Sequence, residues 1–408
     1  MKKKSLLFVF TILSAFGVLY AQTDLQRQEI KANYDLEKLS ILESEMTEKQ
    51  NINYQRAYEM ADLLGWEKII QSPNGGLAKL VGVNLNDKPL YVTTTNREAG
   101  ITTRANKLHT GGGNGFDLNG EDMIVGMWEV GDANLNHPLL EDRVIQMDNT
   151  SGISDHATHV AGTIIGGGAL NGGATKGMAP LAIIHSYTSQ TDGSEMIAAA
   201  ADGLLISNHS YGYNINSFDL WQIGYYGGKA RGFDNITYNA PYYLPFQSAG
   251  NDRQSGANTG NGGYDYLTGA ALSKNAMVVA AVNEVLNYTG PNSVNMSSFS
   301  SWGPTDDGRI KPDISAKGVN MYSATGATGY SNYSGTSMSS PNAAGSATLL
   351  QQHYNNLNGA FMRSSTLRGL ILHTADEAGT STGPDYRFGW GLFNSERAAD
   401  VISESGIS

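Results

Sequence analysis

The chain has no cysteine among its 408 residues. This absence excludes disulfide bonds, thiolate metal sites, a cysteine nucleophile and a lipid anchor attached through cysteine. Charged residues make up only 16% of the chain, and the formal net charge is −11 with no basic stripe, which argues against nucleic acid as a partner. The hydrophobic share of 40% is typical of a globular protein with a sizeable core.

Long apolar runs are also scarce, and the one at the N-terminus is short. Three lysines at positions 2–4 precede an apolar stretch over 5–18, and Ala21 supplies a small residue before a cut, which predicts a secretory signal peptide over residues 1–21. A membrane anchor is the alternative reading, but the run is too short for a comfortable span. Because no second such run follows, we expect a secreted protein, extracellular or periplasmic, with no membrane partner.

Two regions of different character follow the signal peptide. Residues 22–64 carry apolar side chains at helical spacing, and the runs 77–83 and 90–95 flank a short turn sequence and predict a β-hairpin. We therefore predict a small α+β unit over 22–97. Residues 98–121 are rich in glycine and asparagine and read as a connector into a larger domain over 98–408.

The larger domain alternates short apolar runs with helical segments rich in small residues. This alternation predicts an α/β fold, with a doubly wound parallel sheet flanked by helices. The predicted strands are 123–128, 182–186, 204–209, 243–247 and 277–282, and the predicted helices are 156–165, 193–201, 337–353 and 364–373. Sites in such sheets lie at the carboxyl ends of strands, where Glu129 and the segment 248–251 are expected.

Two motifs, 181 residues apart, carry the strongest chemical signal. Residues 334–341 read Ser-Gly-Thr-Ser-Met-Ser-Ser-Pro around Ser337, and residues 156–163 read His-Ala-Thr-His-Val-Ala-Gly-Thr from His156 onward. A serine hydroxyl becomes a nucleophile when a base takes its proton, and a helix N-terminus favours the negative charge that develops. Taken alone, Ser337 would read as a plain helix cap.

Together the two motifs resemble those of the subtilisin-like (subtilase, S8-type) serine peptidases. Segments over about 98–403 add to the resemblance, which is closest to secreted Bacteroidetes-type subtilases; these share the tryptophan before the acid and the Ser-Asn-His-Ser-Tyr-Gly run at 207–212. The resemblance implies a subtilisin-like fold for the large domain and a propeptide-like role for the unit over 22–97, which would chaperone and inhibit that domain.

The resemblance also implies catalytic roles. His156 would be the general base, and Asn251 would stabilise the oxyanion together with the Ser337 amide. Where the family carries aspartate, this chain has Glu129, one methylene longer, which can still accept a hydrogen bond from the histidine. Asp132, three residues on, is the competitor for this role, and the remaining alternative is a site that has lost its acid.

His159 lies one helical turn beyond His156. A metal pair is the rival interpretation, but no nearby carboxylate completes a zinc-peptidase pattern, so we expect a packed structural histidine and no metal ligands in the site.

Two extended edges are implied to hold the substrate backbone and to line the specificity pocket. For Tyr211, simple packing is the alternative interpretation. The six implied substrate-binding residues are Ser210, Tyr211, Gly212, Ser248, Ala249 and Gly250.

These observations predict a secreted serine endopeptidase that hydrolyses peptide bonds through an acyl-enzyme on Ser337, with protein or peptide substrates and its own propeptide as partners. A pseudoprotease that binds peptides without cutting them, and an esterase-like hydrolase, stay open as alternatives. No cofactor is required. The resemblance implies calcium as an optional structural ion, and the loop 252–265 is rich in asparagine, aspartate and glycine.

Overall fold

The structure is a computed structural model that describes residues 23–71, 77–84, 86–92, 99–149, 151–167 and 174–405. The predicted signal peptide over 1–21 lies outside the described residues.

The N-terminal unit consists of two helices and a small antiparallel sheet. Thr23 caps the first helix by accepting from the Gln26 amide, and Gly65, in the left-handed conformation, ends the second. The predicted hairpin is present, although residues 93–95 of its second strand lie outside the described residues. The elements are α1 (Asp24–Lys31), α2 (Leu36–Leu64), β1 (Ile69–Gln71), β2 (Leu77–Val83) and β3 (Pro89–Val92), in the strand order β1-β2-β3.

The large domain is built on a seven-stranded parallel sheet, which confirms the predicted α/β fold. After the short helix α3 (Ala105–Leu108), its strands are β4 (Ile124–Glu129), β5 (Val144–Gln146), β6 (Ile183–Thr188), β7 (Ile206–His209), β8 (Leu244–Ser248), β9 (Met277–Val282) and β10 (Ile314–Lys317). Their spatial order is β10-β9-β8-β7-β4-β6-β5, and every neighbouring pair is parallel. Strands β4, β8 and β9 are buried along their whole length, as expected for a sheet covered on both faces.

Helices cover both faces of this sheet, and a two-stranded hairpin flanks it. The helices are α4 (Asp155–Ile165), α5 (Asp192–Ala201), α6 (Gly228–Asn239), α7 (Thr336–Asn358), α8 (Ser364–His373) and α9 (Ser395–Ser405); the hairpin pairs β11 (Met321–Thr325) with β12 (Gly329–Tyr333). The four predicted helices are present, whereas α6, α9, β5, β10 and the hairpin were not predicted.

Helix α7 runs through the middle of the domain, and its first 18 residues are buried. Its small side chains explain this position: a Cβ atom added at Gly345 would lie 2.6 Å from the Cβ atom of Met178. Ala343, Ala344 and Ala347 are also completely buried. The helix therefore approaches its neighbours closely and carries Ser337 into the interior at its N-terminal end.

The N-terminal unit packs on the large domain through both apolar and charged contacts. Ile30 and Leu39 join the main hydrophobic core of the domain, and α2 packs against α5. Arg27 and Lys31 both form ion pairs with Asp202 at 3.5 Å. Across the described ranges, no helix is long and apolar enough to cross a membrane.

Candidate active site

Glu129 and His156 form a buried pair at the carboxyl end of the sheet. Glu129 is the last residue of β4 and is completely buried, and His156 is the second residue of α4, whose N-cap Ser154 accepts from the Ala157 amide. The His156 Nδ1–H donates to Glu129 Oε2 at 2.8 Å. The longer glutamate side chain thus reaches the imidazole from this strand end.

Asp132, the competing acid, is occupied elsewhere. Its Oδ2 atom accepts from the amides of Ser151 and Gly152 at 2.8 and 2.9 Å. The carboxylate therefore holds the loop that leads to α4, and the hydrogen bond to His156 belongs to Glu129.

Burial shifts the pKa values of both members of the pair. It raises the pKa of Glu129 well above its usual range, against the opposing effect of the Val130 and Ser210 amides, and it lowers the pKa of His156 well below its usual range. A neutral imidazole that donates from Nδ1 has a lone pair on Nε2, the form that a general base requires.

Ser337 is the second residue of α7 and is 2% exposed. Its Oγ–H donates to the Ser210 carbonyl at 3.0 Å, whereas His156 Nε2 is buried without a hydrogen-bond partner in the described parts of the chain. The structure thus joins the glutamate to the histidine, and the serine hydroxyl points to a neighbouring carbonyl rather than to the imidazole.

A second hydrogen bond between the same two serines fixes the start of α7. Pro341, four residues after Ser337, has no N–H to donate to the Ser337 carbonyl, as an ordinary helical residue would. The Ser210 hydroxyl donates to that carbonyl instead, at 2.6 Å. The proline therefore makes room for a side-chain contact that ties the nucleophile to the strand-end segment at 210.

Asn251 is oriented by Thr336, the residue before the nucleophile. The Asn251 Oδ1 atom accepts from the Thr336 amide at 2.8 Å and from its hydroxyl at 3.0 Å, and the hydroxyl in turn accepts from the Gly250 amide at 3.0 Å. Because its oxygen is fixed in this way, the Asn251 amide has its Nδ2 donors left for another acceptor. The role of Thr336 was not foreseen from the sequence.

A cavity lies beside this centre, and five of the six implied substrate-binding residues line it. Ser210 is the exception, because it contacts Ser337 instead. The lining includes Tyr211, Gly212, Ser248, Ala249 and Gly250 and, unforeseen from the sequence, Asp192, Lys229 and Asp252. Tyr211 packs with its hydroxyl donating to buried Asp192 at 2.5 Å, and it also borders the cavity; its role in substrate binding stays a prediction.

His159 is a structural histidine, as expected. Its Nε2–H lies 3.1 Å from the Met321 carbonyl and 3.2 Å from the Ser331 carbonyl, and its ring stacks on Tyr333. In the described ranges, no group of three or more histidine, aspartate or glutamate side chains is arranged to hold a metal ion.

The aspartates at the two ends of the loop 252–265 have different surroundings. Asp252 borders the cavity, whereas Asp265 Oδ2 accepts from the Asn258 side chain at 2.9 Å. The two carboxylates serve separate contacts, so calcium binding stays a prediction without a site.

Three features meet on this parallel α/β sheet: a serine at a buried helix start, a histidine bound to a carboxylate, and an asparagine held by hydrogen bonds. They are the features of the subtilisin-like serine peptidases. The profile of the subtilase family (Peptidase_S8) matches residues 123–391, and the chain belongs to this family.

Curated relatives are similar over short segments only. The PII-type proteinase of Lactococcus lactis subsp. cremoris is 52% identical over 66 residues, which is 16% of this chain and 4% of that protein. The C5a peptidase of Streptococcus pyogenes is 52% identical over 59 residues, 14% of this chain and 5% of that protein. The matched segments thus span only a small fraction of these much longer relatives.

Solved structures share the fold over most of the domain. The patellamide maturation protease PatA superimposes with a TM-score of 0.55 at 21% identity, covering 69% of this chain and 97% of that chain. The prenylagaramide maturation protease PagA gives 0.52 at 20% identity, covering 69% and 93%. At such identities the likeness supports the architecture alone.

Proposed function

We propose that this protein is a secreted serine endopeptidase that cleaves peptide bonds through an acyl-enzyme on Ser337, with Glu129 as the acid of a Ser-His-Glu triad. The observation that carries the proposal is the buried 2.8 Å contact between His156 Nδ1 and Glu129 Oε2 beside the Ser337 helix start. Family membership supports the reaction class, and the six-residue run at 207–212 supports the Bacteroidetes-type subgroup.

In the proposed reaction, Ser337 Oγ attacks the peptide carbonyl carbon while His156 Nε2 takes its proton. The oxyanion accepts from the Ser337 amide and from Asn251 Nδ2, a donor whose loss typically costs ~10²–10³ in turnover. His156 then gives its proton to the leaving amine. A water molecule attacks the acyl-enzyme, again with His156 as base, and the proton returns to Ser337 as the acid product leaves.

The nucleophile must first turn toward the base. In the described state the Ser337 hydroxyl bonds the Ser210 carbonyl, and His156 Nε2 is unpartnered. A rotation about the Ser337 side-chain bond exchanges one hydrogen bond for another and pairs a buried acceptor, so its cost is small. We propose that the described state is the precursor and that this rotation accompanies activation.

The unit over 22–97 is proposed to be the propeptide, which inhibits the domain over 98–408. Support comes from Asn53 of α2, which borders the specificity cavity, and from Lys88 and Arg27, which form ion pairs with Asp219 and Asp202 of the large domain. A unit in this position restricts entry to the cavity. Export rests on the sequence over 1–21.

Labelling with a fluorophosphonate probe, read by intact mass, tests the proposal. We expect wild type to be labelled, Ser337→Ala to be unlabelled and Glu129→Ala to be labelled ~10⁴-fold more slowly, since a wrongly held histidine costs about that much. Ser339→Ala is the matched control, because its hydroxyl only donates to the Thr336 carbonyl.

The other outcomes point to different functions. Wild-type protein that stays unlabelled after removal of 22–97 would favour a peptide-binding pseudoprotease. Labelling that is insensitive to Glu129→Ala would move the acid role away from Glu129. Equal hydrolysis of small esters and rejection of peptides would favour an esterase.

A further inference from the structure

The specificity cavity carries charged groups that the proposed reaction does not use. Its volume is about 120 Å³, several times the ~10–15 Å³ that one water molecule needs, so it has room for a side chain. Ala249, Ala270 and Ala271 supply apolar walls, and Lys229, Asp192 and Asp252 supply the charges. The inference below rests on the proposed peptidase function.

Lys229 brings a hydrogen-bond donor to the cavity, and the charge of this lysine is balanced by a neighbouring carboxylate. It lies in the first turn of α6, and its Nζ donates to Asp192 Oδ1 at 2.6 Å; Asp192 is completely buried, and 22% of the Lys229 side chain is exposed. Burial, the largest single effect, disfavours the charged lysine, but the attractions of Asp192 and Tyr213 and the hydrogen bond to Asp192 together outweigh it and raise the pKa of Lys229. The lysine stays an ammonium, and Asp192 balances its charge.

Asp252 brings an acceptor to the same cavity. It directly follows Asn251, and burial raises its pKa to about 6, so the carboxylate form predominates above that pH. The cavity thus presents one fixed donor and one acceptor between apolar walls, with one net negative charge.

We propose that the cavity selects a P1 side chain, the one before the cleaved bond, that ends in a carboxamide, as in glutamine and asparagine. The carboxamide oxygen accepts from Lys229, and its NH₂ group donates to Asp252. A carboxylate is repelled by Asp252. A basic side chain pairs with Asp252 but meets the Lys229 ammonium and offers it no acceptor, and an apolar side chain offers a partner to neither group. In the described state the carboxamide residue Asn53 of the N-terminal unit borders this cavity.

The test measures kcat/KM on peptides that differ only in P1, with Gln, Met, Glu or Lys, using protein recovered from expression of the full chain. Concentrations of active protein are set by fluorophosphonate labelling. Methionine is the matched comparison, because it has nearly the length of glutamine without its polar end. We expect wild type to prefer Gln over each of the other three by at least ~10-fold, since one buried polar group left unpaired costs about that much.

Substitutions test whether Lys229 and Asp252 cause the preference for glutamine. Lys229→Met combined with Asp192→Asn removes both charges and leaves an acceptor for Tyr211; we expect the Gln-over-Met ratio to fall by ~10-fold or more. Asp252→Asn should raise hydrolysis of the Glu peptide relative to Gln, and it serves as the independent test if the double variant does not fold. Lys274→Met, an exposed lysine outside the cavity, is the control that should keep the wild-type order.

The two proposals fail in different ways. Labelled protein that cleaves the Met, Lys or Glu peptide as well as the Gln peptide overturns the carboxamide inference and leaves the peptidase function standing. A Gln preference that survives both variants overturns the assignment to Lys229 and Asp252. Protein that is neither labelled nor active on any of the peptides overturns the peptidase function itself, and the inference with it.

Discussion

The N-terminal unit and the large domain are stabilised in different ways. Among the side chains that the structure describes, the apolar cluster of the unit has four buried members, Ala57, Ala61, Leu80 and Val83, and on α2 Leu63 is 81% exposed. The large domain has a much larger main core cluster, and all six residues of its strand β9 are buried. A small cluster offsets little of the entropy lost on ordering, so we expect the unit to depend on the domain surface to stay folded.

The contact between the N-terminal unit and the large domain also indicates that the unit depends on the domain. Ile30, Tyr34 and Leu39 of the unit lie in the core cluster of the large domain rather than in that of the unit. The ion pairs at the boundary, such as Lys88 with Asp219, are partly exposed and contribute little by themselves. Apolar burial on the domain therefore holds the unit in place.

The largest effect is expected for the proteolytic separation of the N-terminal unit from the large domain. If Ser337 cuts the connection between unit and domain, Ser337→Ala should accumulate as unprocessed precursor, with processing reduced from complete to none. Intact mass of the purified protein measures this, and Ser339→Ala should process normally. Normal maturation of Ser337→Ala without added protease would contradict autoprocessing.

A matched pair of core substitutions tests the comparison directly. Leu349 in α7 and Leu80 in β2 are both completely buried, and Leu→Ala at such sites costs about 2–5 kcal/mol. In a Ser337→Ala background, Leu349→Ala should lower the unfolding free energy of the whole domain, whereas Leu80→Ala should only loosen the unit. Hydrogen exchange read by mass spectrometry separates the two. Loss of protection across the sheet in Leu80→Ala would refute the independence of the domain.

A smaller effect on stability is expected from pH, and it arises in the large domain. Burial raises the pKa of Glu195, which accepts from Trp128 Nε1 at 3.0 Å, to about 7. Because the folded state then binds more protons than the unfolded state between about pH 4.5 and 7, this contribution to stability is present below that window and is lost as pH rises through it.

Replacement of Glu195 by glutamine isolates this contribution. In the Ser337→Ala background, Glu195→Gln should show a smaller drop in melting temperature from pH 5 to pH 8 than the parent. An equal drop in both proteins would assign the pH dependence to other groups.

Much of the fold could be predicted because buried parallel strands read as apolar runs and buried helices as runs of small residues. Strand β9 and helix α8 have the predicted bounds. The edge strands were missed: β5 has three residues with Ile145 47% exposed, and β10 contains Ser315 and Lys317, which are buried but polar. Tertiary contacts, not local pattern, make these segments strands.

The candidate site likewise contains residues that could be predicted from the sequence and residues that only the folded structure brings together. Glu129 could be placed because it ends a predicted buried strand at the position where the resembled family carries its acid. The structure brings it within hydrogen-bond distance of His156, although its catalytic role stays a prediction. Lys229 and Asp192 could not be found, since they lie 37 residues apart without a motif and meet only when α5 and α6 pack side by side. The hydrogen bonds by which Thr336 orients Asn251 likewise form only in the folded chain.

The order of the proposed triad residues along the chain has a consequence for synthesis. Glu129 and His156 leave the ribosome long before Ser337, whose helix packs against β7, β8, β9 and β10. A nascent chain that already contains the acid and the base has no nucleophile, and α7 can dock only on strands that are already paired. Until α7 has been synthesised and has docked, the proposed site therefore cannot cleave its own chain, and this holds independently of any inhibitory segment.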